Sequence, residues 1–167
     1  MDHKDHQAAK GSPQMFRGLY EHTIDPKGRT SFPARFRDLL DTADRNDADA
    51  SDSLIITTGI DRCLVAYPVA AWNAFEAKLA ALPQFDPAVV QLKRLYVAGA
   101  TESQVDRHGR LMIPPVLREY ARLERDVIWA GMVTTIELWA KEVWNEQVKE
   151  LRSDPQAIAR ALGGLGL

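Results

Sequence analysis

The chain has 167 residues, 46% of them hydrophobic, with a formal net charge of −2 at neutral pH, enough apolar material for one or two small domains with real cores. No apolar run approaches the roughly 18 residues needed to cross a bilayer, so no membrane span is expected. The single cysteine, Cys63, excludes an internal disulfide and fits a reducing cytosol.

From the N-terminus, residues 1–14 (MDHKDHQAAKGSPQ) contain no apolar stretch. They do not form a secretory signal and read as a disordered, solvated extension, with His3 and His6 no more than adventitious metal ligands. His22 to Ile24 then reads as a short strand running into Asp25-Pro26-Lys27-Gly28-Arg29, and the strand leaves this turn as RTSF. Gly28 can take the positive φ that a tight hairpin requires. Pro33 ends the strand and suits the first turn of a helix, and ARFRDLL places Phe36, Leu39 and Leu40 at helical spacing.

The next stretch is acidic. Residues 38–52 carry six aspartates against Arg45, a local charge of −5, so the remaining chain is +3. An acidic loop over 41–52 thus hides a basic face from a bulk count and permits a nucleic-acid partner. Two further strands, LIITT and CLVAY, follow around a turn at Gly59–Arg62, and Trp72, Phe75 and Leu79 form the apolar stripe of a helix. DPAVVQLKRLYVAG predicts a linking helix over 86–97, with Asp86 as N-cap and Pro87 at its first position.

The order then repeats. Glu102 to Val105 reads as a strand entering Asp106-Arg107-His108-Gly109-Arg110, followed by RLMI, Pro114 and the helix PVLREY. DVIWA and TIELW are strands around a turn at Gly131–Thr134, and Val143, Trp144, Val148 and Leu151 make a closing helical stripe. A shift of 81 residues lays Asp25, Gly28, Arg29, Pro33 and Arg37 on Asp106, Gly109, Arg110, Pro114 and Arg118. A shift of 72 lays Gly59, Tyr67 and Trp72 on Gly131, Trp139 and Trp144. The nine-residue difference falls in the Asp-rich stretch, where an exposed loop tolerates insertion best.

One unit is therefore present twice: 15–85 with the acidic loop, then 98–152, joined by the helix 86–97 and followed by a fraying tail over 153–167. The class is α+β, with four short strands per half. A unit of about 50 residues is marginal alone, so the halves are expected to share a core by interleaving their hairpins.

Catalysis has little to work with. The sequence lacks a phosphate-binding glycine loop, a nucleophile elbow and paired metal-ligand spacings, so no enzyme activity, metal or cofactor is expected. The repeated turn is the functional candidate. Lys27, Arg29, Arg107 and Arg110 stand on it, and Arg17 is a further candidate for DNA contact, with a plain surface cation as the alternative. An arginine fork suits phosphate or guanine, and a two-stranded ribbon fits the major groove. The plainer account is that Asp25 and Asp106 cap their turns through amide hydrogen bonds and pair with the arginine four residues on. Trp72, Trp129, Trp139 and Trp144 read as core or interface residues rather than base-stacking ones.

The segments MFRGLYEHTIDPKGRTSFPARFR from Met15 and ESQVDRHGRLMIPPVLR in the second half resemble the MraZ family, whose members carry two AbrB-like (SpoVT-AbrB) half-units with an Asp-x-x-x-Arg motif. CLVAYP, IELW and the Trp72 and Trp144 helices agree, and the resemblance spans about residues 15–150. It implies a double-split β-barrel with flanking helices, built from two β-hairpin units. It also implies a bacterial transcriptional regulator, cytoplasmic and nucleoid-associated, that binds direct repeats in double-stranded DNA upstream of its own division and cell-wall gene cluster. Subunits would close into a ring of eight or twelve. Arg29, with Lys27 beside it, would carry DNA contact, and Arg110 would be its counterpart. Residues 1–14 and the acidic insertion depart from the usual pattern. AbrB-type folds also serve in toxin–antitoxin pairs, so an antitoxin-like or scaffold interaction module is the alternative, with the C-terminal tail as a docking segment.

Overall fold

The computed structural model describes residues 15–43 and 52–167. The extension expected over 1–14, and the acidic residues 44–51, lie outside the described residues.

Among the described residues, each half supplies four strands and two helices in the same order. The first has β1 (Leu19–Thr23), β2 (Arg29–Ser31), α1 (Ala34–Ala43), β3 (Ser53–Thr58), β4 (Leu64–Pro68) and α2 (Val69–Ala80). The linker is α3 (Pro87–Leu92), whose N-cap Asp86 accepts from the Ala88 amide, continued by a π-helical turn over Lys93–Val97. The second half has β5 (Thr101–Gln104), β6 (Arg110–Met112), α4 (Pro115–Tyr120), β7 (Asp126–Met132), β8 (Thr135–Ala140) and α5 (Lys141–Arg152).

The chain does not fray after α5. Residues Pro155–Gly164 form α6, because Asp154 accepts from the Ala157 amide as N-cap and Pro155 presets the first helical φ.

The strands form an open, antiparallel six-stranded sheet in the order β1-β7-β8-β4-β3-β5, and a separate two-stranded ribbon, β2-β6. Both are exchanges between the halves. Strand β1 pairs with β7, Thr23 opposite Asp126, while β5 pairs with β3. The sheet order reads the same from either end once equivalent strands are equated, and a pseudo-twofold passes between β8 and β4.

The hairpin expected around each Asp-x-x-Gly-Arg turn is thereby corrected. Strands β1 and β2 meet only at the bridge Ile24↔Thr30 and at the turn itself, then diverge to different partners. A lone pair of such short strands would be marginal. Exchange instead lets the inner face of the ribbon be buried against the sheet, and the expected interleaving of halves takes this form.

The core lies between the ribbon and one face of the sheet. Thr30 and Leu111, opposite each other in the ribbon, are 1% and 0% exposed, and Phe36 and Leu117 close the ends from α1 and α4. Phe36 meets Phe16, Tyr20 and Phe32 at ring-centroid distances of 5.5, 5.0 and 6.2 Å. The other sheet face is covered by helices. Cys63, Ile128 and Trp139 pack there with Val143 and Trp144 of α5, while Trp72 and Phe75 of α2 pack on Tyr67. Trp72, Trp129 and Trp139 are buried and Trp144 half-buried, as the core reading of the tryptophans expects.

Candidate nucleic-acid interface

The two turns are built alike, atom for atom. In the first, Asp25 Oδ1 accepts from the amides of Lys27 and Arg29 at 3.0 and 2.9 Å, and Oδ2 accepts from Arg29 Nε at 2.8 Å. In the second, Asp106 Oδ1 accepts from the amides of His108 and Arg110 at 2.8 and 2.9 Å, and Oδ2 accepts from Arg110 Nε at 3.2 Å. Gly28 and Gly109 adopt φ of 86° and 75°, and their amides donate to the carbonyls of Asp25 and Asp106. The aspartate therefore does both jobs the sequence left open: it caps the turn and it orients the arginine.

That division has an electrostatic signature. The carboxyls of Asp25 and Asp106 are held below the ordinary aspartate range, first by the backbone amides of Arg29 and Arg110, with burial opposing and the arginine side chains assisting. Among the described residues, the side chains of the arginines are engaged through Nε alone. The end-on pair of amino groups, Nη1 and Nη2, keeps its two parallel N–H vectors for an external acceptor. An arginine already fixed in plane also loses less side-chain entropy when it binds.

The ribbon sets the two arginines on one face. Arg29 lies opposite Met112 and Ser31 opposite Arg110, while the alternate pair, Thr30 and Leu111, points into the core. Arg29 and Arg110 are thus diagonal neighbours, with backbones about 7–8 Å apart. The outer face consists of Arg29, Ser31, Arg110 and Met112, with exposed Lys27 and Arg107 on the flanking turns. Two hydrogen bonds lash this ribbon to the sheet: Trp129 Nε1 donates to the Ser31 carbonyl at 3.0 Å, and Ser103 Oγ to the Met112 carbonyl at 3.1 Å. Two more clamp the turns crosswise, Phe32 N to the Gly109 carbonyl and Ile113 N to the Gly28 carbonyl.

Four of the five candidate cations are therefore brought together. Arg17 is not grouped with Lys27 and Arg29. It is exposed beside the bridge Phe16↔Val133, at the other end of β1 from Asp25, on the order of 25 Å away along an extended strand. Its backbone lies against Gly131, where a Cβ would collide with it, so the position of Arg17 follows from strand packing.

Two cations escaped the sequence reading. Arg118 of α4 reaches under the first turn, its Nε donating to the Ile113 carbonyl at 3.0 Å, and Arg37 of α1 stands beside the second turn. The repeat had superposed them, but only the strand exchange places each at the turn of the other half. Among the described residues, no group of three or more His, Cys, Asp or Glu side chains is placed to hold a metal ion. None of the helices among them is long and apolar enough to cross a membrane.

Comparison with known proteins agrees with this duplication. The family described as "MraZ protein, putative antitoxin-like" matches the chain twice, over residues 15–95 and 96–163. Proteins called transcriptional regulator MraZ are similar along nearly the whole chain. That of Thermoanaerobacter sp. (strain X514) is 39% identical over 92% of this chain and all of its own length. That of Moorella thermoacetica is 39% identical over 89% of this chain and 96% of its own. That of Desulfitobacterium hafniense (strain Y51) is 37% identical over 92% of this chain and all of its own.

Proposed function

The chain belongs to the MraZ family, and from that premise we propose that it is a sequence-specific DNA-binding transcriptional regulator whose reading element is the β2–β6 ribbon. The observation that carries this reading is the pair of aspartate-fixed arginines, Arg29 and Arg110, displayed side by side on the ribbon's outer face. A two-stranded ribbon has the width to enter a major groove. Arg29 and Arg110 would contact guanine edges or phosphates end-on, and Lys27 and Arg107 would neutralise phosphates on either side. The sheet and ribbon together are read as a double-split β-barrel. The protein would work in the cytoplasm, at the nucleoid.

Few cations per chain bind DNA weakly, since each phosphate contact adds only part of the affinity. We read the target as direct repeats upstream of the protein's own gene cluster, engaged by several copies of the chain closed in a ring. Tethered contacts raise avidity by roughly 10² to 10⁴ when the geometry allows simultaneous engagement. Apolar residues remain for contacts between copies: on α6, Ile158 and Leu162 are about half exposed.

The test is a fluorescence-anisotropy titration against labelled DNA from upstream of the gene, at two salt concentrations, with Arg29→Ala in parallel. Tight, salt-sensitive binding that collapses in the variant supports the ribbon. Equal binding by variant and wild type moves the contact elsewhere, and no binding at either salt favours an antitoxin-like interaction role.

A further inference from the structure

The two turns are superposable in their hydrogen bonds but not in what stands behind them. At the first, a Cβ built on Gly28 would lie 2.8 Å from Arg118 Nε and 3.0 Å from Arg118 Cζ. The guanidinium of the second half is thus seated directly against the backbone of the first motif. Its Nε is used by the Ile113 carbonyl, and among the described residues it has no acidic partner. At the second turn, the equivalent Arg37 Nη1 lies 3.7 Å from the corresponding Cβ position on Gly109. Here the charge is answered, because Arg37 Nη2 donates to Asp52 Oδ2 at 3.2 Å. Asp52 is itself fixed against that turn, its carbonyl accepting the amide of Val105, the residue before the motif aspartate.

We propose that Arg118 is a third cation of the anion-contact site at the first turn, and that Asp52 withholds the matching cation, Arg37, from the second turn. The two copies of the motif then bind phosphate unequally. The first site is composite: Lys27 and Arg29 come from one half and Arg118 from the other. The second presents Arg107 and Arg110 with its rear cation neutralised. Removing a cation that meets phosphate removes a released counterion and flattens the dependence of log K on log salt by about 0.9 per contact. Removing one that is already neutralised does not.

This inference rests on the DNA-binding reading, and the experiment separates the two. Binding of a labelled mixed-sequence duplex is titrated over a range of salt for the full chain and for Arg29→Ala, Arg118→Gln, Arg118→Lys, Arg37→Gln and Asp52→Asn, each checked by thermal melting. Arg118→Gln is expected to lower the slope by about 0.9 for each protomer engaged, while Arg118→Lys, which keeps the charge but not the Nε contact, retains the slope. Arg37→Gln is expected to leave it unchanged, and Asp52→Asn to steepen it by a similar amount, an increase that adding Arg37→Gln abolishes.

A wild-type slope in Arg118→Gln overturns the proposal. So does equal loss in Arg118→Lys and Arg118→Gln, which would make the residue structural, or an unchanged slope in Asp52→Asn. If Arg29→Ala binds as well as wild type, the ribbon reading itself fails. If Arg29→Ala loses binding and the Arg118 and Asp52 variants behave as wild type, the ribbon reading stands and this proposal fails.

Discussion

Gly28 and Ile113 belong to opposite halves of the chain, yet a Cβ on Gly28 would lie 2.7 Å from the Ile113 carbonyl oxygen. Among the described residues no such barrier stands at Gly109, where the nearest atom beyond the chain neighbours is 3.7 Å away. Both glycines sit at positive φ, which costs an L-residue about 1–2 kcal/mol. Gly109→Ala is expected to lose about that much stability, and Gly28→Ala clearly more, since backbone must also shift. Urea midpoints for the two variants check the order; equal losses would mean that the close approach is easily relieved.

Trp129 predicts a second effect. It is fully buried, edge-on to Phe32 at a centroid distance of 5.3 Å, and it donates to the Ser31 carbonyl of the ribbon. Trp129→Phe keeps most of the packing but leaves that carbonyl without its donor, at a cost of about 1–3 kcal/mol. Trp129→Ala adds a cavity and is expected to cost about 3–5 kcal/mol. Chemical denaturation measures both, and amide exchange should show Ser31 and its neighbours opening sooner in Trp129→Phe.

Acid should loosen the turns. Asp25 and Asp106 have folded-state pKa values below their unfolded ones, so their contribution is fully present above the ordinary aspartate value of about 4. It is lost as pH falls through the lower, folded value. The melting temperature is expected to drop on acidification through that range, and to drop less steeply in Asp25→Asn/Asp106→Asn, which starts from a lower plateau. Parallel acid profiles for variant and wild type would show that these carboxyls do not govern the turns.

Cys63 should be inert. Its thiol is buried under Gly59, and burial, followed by the nearby Glu137 carboxylate, pushes its pKa up to about 12. Since the thiolate is the reactive form, alkylation at mildly alkaline pH is expected to proceed no faster than unfolding. Rapid labelling of native protein would require an opening of the β4 side of the sheet.

Local chemistry was legible and pairing was not. The spacing of Asp, Gly and Arg in each motif was enough to anticipate a capped turn, because every group in it lies within four residues of the next. Pro33, Pro114, Asp86 and Pro87 marked helix starts for the same reason. Nothing in LYEHT, however, prefers DVIWAGM over RTS as its neighbour. That choice is made by burial, since only exchange covers Thr30 and Leu111 together. The roles of Arg37 and Arg118 were hidden by the same step: their equivalence could be read from the repeat, but the glycine each one faces depends on which strands cross. The helix after Ser153 was missed where its cap, Asp154-Pro155, was in plain view.

The crossed sheet also sets a timetable. Strand β1 has no partner until Asp126–Met132 exists, about a hundred residues later. At roughly 5–20 residues per second, a newborn chain waits on the order of 5–20 s on the ribosome with Leu19–Thr23 unpaired. The first half settles only in part by itself: β3 and β4 pair within it, while β1 and β2 wait for β7 and β6. A message broken before the codons for β7 therefore leaves β4-β3-β5 as a three-stranded remnant and β1 without the strand it pairs with, and quality control would meet it as such.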